Sequence, residues 1–389
     1  MTDREYDLVL FGATGFTGGL TARYLAGAMP AGGNWALAGR DLTKLEAVRA
    51  ELAVIDPRWT QLPLLIADVT EPASLQAVAA ASRVVISTVG PYLRHGEPLV
   101  AACAAAGTDY LDLTGETEFV DLMYTRYHHR ARQSGARLVH SCGFDSIPHD
   151  LGAYYTVGQL PTGVPIRMDG VVRAGGGLSG GTLQSVTIAL SRLGSSLGAA
   201  KARRRVEERP SGRRVSTPQG LPRRADELWL LPLPTIDAQV VASSARALAR
   251  YGPDFSYHHY AGVRRLPVAL GGVAAVAGLA AIVQLPPARK LLLSRIRAGA
   301  GPSEERRAKG WFSVRFTATG GGRRVVTEVS GGDPGYGETA KMLGEAGLCL
   351  AFDELPESSG QLTTAVAMGQ PLIDRLVAAG IEFRVVESG

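Results

Sequence analysis

The sequence predicts an α/β protein: a doubly wound parallel sheet, with a second α+β domain inserted before the C-terminal helices. Three observations carry this. Residues Leu8 to Gly18 run as an apolar strand directly into glycines at 12, 15 and 18. Apolar runs of strand length then alternate with helix-patterned segments through about residue 150. From Leu151 the alternation gives way to longer strands and a glycine-rich hairpin signal.

The glycine loop is written in backbone requirements. Gly12 permits the tight turn off the strand, Gly15 lets main chain approach a pyrophosphate, and Gly18 lets the next helix pack against the sheet. That helix, patterned by Leu20, Tyr24, Leu25 and Met29, turns its free N–H groups and positive dipole end toward the phosphates. A lone glycine triplet is a weak signal, but a strand before it and a helix after it make a Rossmann-type reading specific. Gly12, Thr14, Gly15, Phe16, Thr17 and Gly18 are therefore the expected phosphate-binding residues.

The second strand, Trp35 to Ala38, ends in Gly39-Arg40-Asp41, where an adenosine ribose sits in this architecture. An arginine there suits a 2′-phosphate, so Arg40 argues for NADP, with a plain surface arginine as the alternative. Asp41 reads as the cap of a helix from Leu42 to Leu52. A third strand, Leu62 to Ala67, delivers Asp68 toward the adenine edge. The fourth, Val84 to Thr88, ends in Val89-Gly90-Pro91-Tyr92. Thr88, Gly90 and Pro91 are thereby placed at the crevice for a nicotinamide, although Gly-Pro also serves as a simple chain reversal. A helix from Pro98 to Ala106, a strand from Asp109 to Leu113, a helix to about Gln133 and a strand from Arg137 to Ser141 complete the series.

With 389 residues the chain has room for more than one core. The predicted division is a nucleotide domain over 1–150, a substrate and dimerisation domain over 151–335, and C-terminal helices over 336–389 that return to the first domain. A homodimer is accordingly one expected assembly. The composition, 46% hydrophobic and 20% charged, is that of a globular enzyme. Cys103, Cys142 and Cys349 form no pairable framework, and the charged start leaves no room for a signal peptide. Both point to a reducing, cytoplasmic setting.

In the second half, Val164 to Val172 reads as a strand. Ala174 to Thr182 is a glycine-rich stretch that either cradles an anion or connects two elements. Trp311 to Thr319 and Arg324 to Ser330 flank Gly320-Gly321-Gly322 as a hairpin. Leu266 to Leu285 is 20 residues without a charge, bracketed by Arg264-Arg265 and Arg289-Lys290. Its length meets the bilayer threshold, but alanine and glycine make it only mildly hydrophobic. A buried or interface helix, a monotopic element on the inner face of the cell membrane, and a true span all remain open, with Pro286-Pro287 and Leu291 to Leu293 favouring a bent in-plane element. Between Lys201 and Asp226 lie nine basic and three acidic residues. This is either a solvated loop or a patch for an acidic partner. Nucleic acid is not expected, because the run has no interleaved aromatics.

Four motifs together carry a resemblance. These are Gly12-Ala13-Thr14-Gly15-Phe16-Thr17-Gly18, Ser87-Thr88-Val89-Gly90-Pro91-Tyr92, Tyr110-Leu111-Asp112-Leu113-Thr114-Gly115-Glu116 and Cys142-Gly143-Phe144-Asp145-Ser146-Ile147-Pro148. They resemble the saccharopine dehydrogenase-like oxidoreductases and, within them, the actinobacterial trans-acting enoyl reductases. Ser179-Gly180-Gly181-Thr182 and Gly335-Tyr336-Gly337-Glu338 extend the likeness toward Phe383. The resemblance implies NADPH-dependent reduction of an acyl or polyketide thioester in lipid biosynthesis, with the substrate held on an acidic carrier protein. Animal members on lipid surfaces keep a membrane-associated role open.

An enolate formed on a thioester oxygen needs a proton donor. Tyr92, on the loop after strand four, is the first candidate. His140, Asp145 and His149, around strand six, are the others; Asp145 reads equally as a turn residue, and His149 with Asp150 as the start of a helix. Cys142 has no paired base. No metal is expected, since His128-His129 and His258-His259 are adjacent pairs that do not converge on one ion. Two rival readings stand beside the reductase: a non-catalytic NADP sensor, and saccharopine-type amino-acid chemistry. The latter would want several basic groups converging on carboxylates, and few are placed there.

Overall fold

The computed structural model describes residues 4–175, 187, 191–225, 227–285, 287 and 303–389. The chain divides into two units. One holds Met1–Phe144, Ala199–Val206 and Tyr336–Leu376; the other holds Asp145–Gly198, Glu207–Gly335 and Val377–Gly389.

In the first unit six strands follow the predicted series: β1 (Tyr6–Phe11), β2 (Trp35–Gly39), β3 (Leu64–Ile66), β4 (Ser82–Ser87), β5 (Asp109–Asp112) and β6 (Arg137–Val139). They lie in the order β6-β5-β4-β1-β2-β3, every pairing is parallel, and a late strand, Gly360–Leu362, adds outside β6. The order reverses at β1, so the crevice at the carboxyl ends of β1 and β4 is the topological switch point. Val9, Val85, Tyr110 and Leu138 pack beneath Leu99, Val100 and Phe119, which explains why the central strands are apolar on both faces. Asp41 caps the Leu42–Ile55 helix by accepting the Lys44 N–H at 3.1 Å.

The second unit is a mixed sheet. Its strands are β7 (Ile166–Gly175), β8 (Arg214–Ser216), β9 (Arg223–Ala225), β10 (Leu228–Pro232), β11 (Asp254–Val263), β12 (Trp311–Gly320) and β13 (Arg323–Gly331). β7 and β11 run parallel, while β12 pairs antiparallel with both β7 and β13. The predicted hairpin forms at Gly321 and Gly322, whose φ values of 60° and 79° match a turn that needs positive φ at both positions. The Ile147–Val157 helix lies so close to this sheet that a Cβ on Gly152 would stand 2.3 Å from Phe316.

Three expectations change. The segment 336–389 does not return as a whole to the first unit. Tyr336–Leu376 belongs there, but Glu382–Ser388, with the alternation of a strand, pairs antiparallel with β13 in the second sheet. The basic run is not one continuous loop: it forms the end of the Leu193–Val206 helix and then β8 and β9, joined by short connections. Within it Arg203 is buried, 3.1 Å from Asp121 and stacked over Tyr124, and Arg213 donates to the carbonyls of Ala245, Arg246 and Leu248 at the end of the Ile236–Ala247 helix. Lys201, Arg204 and Arg205 are the exposed charges on the helix.

The apolar segment is a 17-residue helix, Leu266–Ile282, and it is not buried. Val268, Leu270 and Leu285 are about 60% exposed. No described helix is long and apolar enough to cross a membrane. The glycines at 176–182, Pro286, Arg289-Lys290 and Leu291 to Leu293 lie outside the described residues.

Candidate functional site

The glycine loop has the geometry its spacing predicts. Gly12 has φ 96°, and a Cβ there would stand 2.7 Å from the Thr88 hydroxyl. At Gly18 a Cβ would lie 2.1 Å from the Gly12 carbonyl oxygen, so the fold itself requires glycine at both positions. Gly15 differs. Its nearest neighbour would be the Gly12 carbonyl at 3.5 Å, an ordinary contact, so the fold has room for a side chain that the loop does not carry. An open position there is what close approach of main chain to a pyrophosphate needs.

Thr88 locks the loop by donating to the carbonyls of Gly12 at 3.1 Å and Phe11 at 3.2 Å. The Phe16–Ala28 helix starts at Gly15 with no side-chain cap and no acid in its first turn, leaving its N–H groups for an anion. Phe16 packs edge-on against Tyr336 at 4.9 Å. Arg40 is exposed at the end of β2, free of steric cover for a 2′-phosphate. Asp68 spends one carboxylate oxygen on its own turn, accepting Thr70 N and Oγ1 at 2.8 Å each, and these bonds hold it below the usual carboxylate range. The residues fit a dinucleotide.

The carboxyl edge beside the cradle is organised by buried acids. Glu116 accepts the N–H groups of Tyr92 and Leu93 at 3.0 and 2.9 Å, fixing the turn after Gly90-Pro91; burial pushes its carboxyl up. Asp112 is fully buried and accepts N–H from Thr114 and Ser141, both at 3.0 Å, with its other oxygen 2.7 Å from His140 Nδ1. Ser141 itself sits at φ 63° and donates to the Thr114 carbonyl at 2.6 Å. Asp112 thus aims the His140 ring, which lies edge-on to Tyr110 and Phe119. His140 Nε2 is buried without a hydrogen-bond partner among the described residues.

Tyr92 takes a different part from the one its sequence position promised. The hydroxyl gives its proton to the Ser87 carbonyl at 3.0 Å and accepts the Leu113 N–H at 3.2 Å, and the side chain is buried. Burial also pushes the phenol well above its ordinary value. With its proton committed to main chain, Tyr92 ties β4 to the loop after β5.

Asp145 and His149 belong to the second unit. Asp145 is half-buried, and its carboxyl is pushed up to about 6 by burial and then by the charge of Asp237, against the pull of His149. His149 lies 2.9 Å from Asp237, which also faces His259, an arrangement the sequence reading missed because three separate elements supply it. Cys142 is buried and points its sulfur at the Val139 carbonyl, 3.4 Å away.

A pyrophosphate cradle at the switch point of a doubly wound sheet, in a chain that continues into a mixed-sheet unit, defines a dinucleotide-dependent oxidoreductase. Residues 8–139 match the saccharopine dehydrogenase NADP binding domain family. A candidate trans-acting enoyl reductase of Mycobacterium tuberculosis, Rv2449c, is 41% identical over 421 residues, covering 98% of each chain. Trans-acting enoyl reductases of Mycobacterium ulcerans and Mycobacterium bovis are 35% and 36% identical, covering 97% of each chain. The solved apo saccharopine dehydrogenase of Saccharomyces cerevisiae shares the fold, with TM-score 0.58 and 12% identity over 98% of this chain and 99% of that one. The chain belongs to the trans-acting enoyl reductase family, and its cofactor is NADP.

The cradle separates two glycines by experiment. Gly15→Val is expected to fold with an unchanged melting temperature but to lose NADPH binding, read by fluorescence titration. Gly18→Val is expected to lose stability itself, because its side chain would enter the Gly12 carbonyl.

Proposed function

We propose that this protein uses NADPH to reduce the double bond of an enoyl thioester carried on a polyketide synthase. The observation that carries the reading is the near-complete coverage of the enoyl reductases by a chain whose first strand runs into a glycine loop with open room at Gly15. Gly12, Gly15, Gly18, Thr88 and Arg40 would hold NADPH, which would supply the hydride for the β-carbon. The chain's own task is the proton. Negative charge develops on the thioester oxygen, and a proton must reach the α-carbon.

His140 is the proposed donor in this mechanism. Asp112 occupies Nδ1, which leaves Nε2 as the ring atom that exchanges the proton. NADPH oxidation with a small enoyl thioester tests the reading. Turnover by the wild type is expected, and His140→Gln is expected to lower kcat by roughly 10²–10⁴-fold with NADPH affinity retained. Loss of NADPH affinity in that variant, or full turnover, would count against His140. Absence of turnover by the wild type on any enoyl thioester would leave the sensor reading.

Arg40 is proposed to select the phosphorylated cofactor. Arg40→Ala should weaken NADPH by about 1.5–3 kcal/mol, the range for a charge-assisted bond, and leave NADH affinity unchanged. Equal losses for both would reject the assignment.

The partner is proposed to be an acidic carrier domain, met by the exposed Lys201, Arg204 and Arg205. Reversing these three to Glu should lower kcat/KM for carrier-bound substrate, with the defect shrinking at high salt and a carrier-free thioester unaffected. Arg203 must be left in place, because removing it strands the buried Asp121 charge at a cost of about 3–5 kcal/mol. The setting we infer is cytoplasmic, with peripheral contact to an anionic bilayer through the exposed Leu266–Ile282 helix and the adjoining Arg264 and Arg265; salt-sensitive vesicle flotation is its check.

A further inference from the structure

Three elements of the second unit each bring one ligand-type side chain to a common point. His149 comes from the first turn of the Ile147–Val157 helix, Asp237 from the first turn of the Ile236–Ala247 helix, and His259 from β11. Their exposures are 1%, 4% and 7%, so water does not compete for them freely. One ligand atom from each lies within 4.8 Å of the other two. His149 Nδ1 is 2.9 Å from Asp237 Oδ1, and His259 Nε2 is 3.5 Å from Asp237 Oδ2. The two imidazoles stand edge to face at 80°, with centroids 5.0 Å apart.

These distances admit two readings, a hydrogen-bonded triad or a set of ligands around an ion. The alignment decides between them. Asp237 Oδ1 and His259 Nε2 make no hydrogen bond with proper geometry, despite the short separations. A buried carboxylate oxygen left without an aligned donor between two rings, as Asp237 Oδ1 is, is costly unless something else occupies the point it faces. Zinc bonds of about 2.0–2.1 Å in a tetrahedron place neighbouring ligand atoms about 3.3 Å apart, between the two separations found here.

The surrounding groups are those an ion site needs. The Tyr257 hydroxyl lies 3.0 Å from His259 Nδ1, holding the ring by its far nitrogen, and the Thr235 hydroxyl donates to Asp237 Oδ2.

We propose that His149, Asp237 and His259 form a divalent transition-metal site, matched best to Zn²⁺. Two imidazoles and one carboxylate are borderline-soft and hard donors in the mix zinc takes, and three protein ligands leave a fourth position for water. The ion would join two helix starts to the middle of β11, tying together parts of the second unit that are distant in sequence. It has no part in the hydride or proton steps assigned above.

The experiment uses the full chain and needs no turnover. Purified protein is stripped with a chelator, reloaded with Zn²⁺ or Co²⁺, and freed of excess. One zinc per chain by elemental analysis, a melting temperature that rises on reloading, and the visible bands of four-coordinate Co²⁺ are the expected results. His259→Gln should abolish the Co²⁺ bands, whereas His129→Gln, on a separate helix, should leave them intact. Tyr257→Phe should weaken zinc by roughly 10–100-fold, as loss of a group that orients a ligand does. Stripped wild-type protein that takes up no zinc and shows no Co²⁺ bands would overturn the site and leave a proton-bridged triad. That measurement stands if His259→Gln fails to fold, and its outcome is independent of whether any enoyl thioester is turned over.

Discussion

Everything at the proposed active edge depends on one close approach of main chain to main chain. Gly12 and Gly18 meet with no room for a Cβ, and Thr88 closes the contact from β4 by bonding the carbonyls of Phe11 and Gly12. This single junction fixes the exit of β1, the start of the Phe16–Ala28 helix and the end of β4 relative to one another. The helix N-terminus then lies at the switch point of the sheet, where the positive end of its dipole suits a phosphate. Gly15 is the complement: there the fold itself leaves ordinary room for a Cβ.

Buried acids do for the neighbouring loops what glycine does for the first. Asp112 and Glu116 are removed from water, yet each has its oxygens occupied by main-chain N–H groups or a ring nitrogen. Charge-assisted bonds of this kind are roughly twice as strong as neutral ones, and a desolvated carboxylate without them would be unaffordable. The loops after β4, β5 and β6 are consequently tied to these carboxylates by hydrogen bonds. Tyr92 adds to the same brace. Its hydroxyl spans two loops, which is why a residue in the right place for acid catalysis serves instead as a strut.

The sequence was most legible where function and local backbone coincide. Glycine spacing, the Asp41 cap and the Gly321-Gly322 turn are local rules, and each element they predicted is found within a few residues. It was least legible where side chains converge from distant segments. Nothing near His149 announces Asp237 or His259, and the adjacency of His258 to His259 misdirects, because neighbours on a strand face opposite sides. His258 pairs with Asp169 while His259 turns toward Asp237. Charge runs misled for the same reason: Arg203 looks like its neighbours in sequence, yet the helix turns it alone toward Asp121.

The distribution of constraint between the two units bears on how specificity is built. The yeast saccharopine dehydrogenase keeps the fold at 12% identity, so the fold tolerates almost complete replacement of side chains. In such a fold, function is set by the side chains placed around the crevice and not by the fold itself. A chain of this architecture that handled amino acids would need charges to hold the substrate's own carboxylates and amine. The acids placed at the carboxyl edge here are already saturated by main-chain donors, and His140 is held by one of them. An edge whose charges are turned inward leaves an acyl chain little to repel it, and the proposed proton donor, His140, keeps its Nε2 without a hydrogen-bond partner among the described residues.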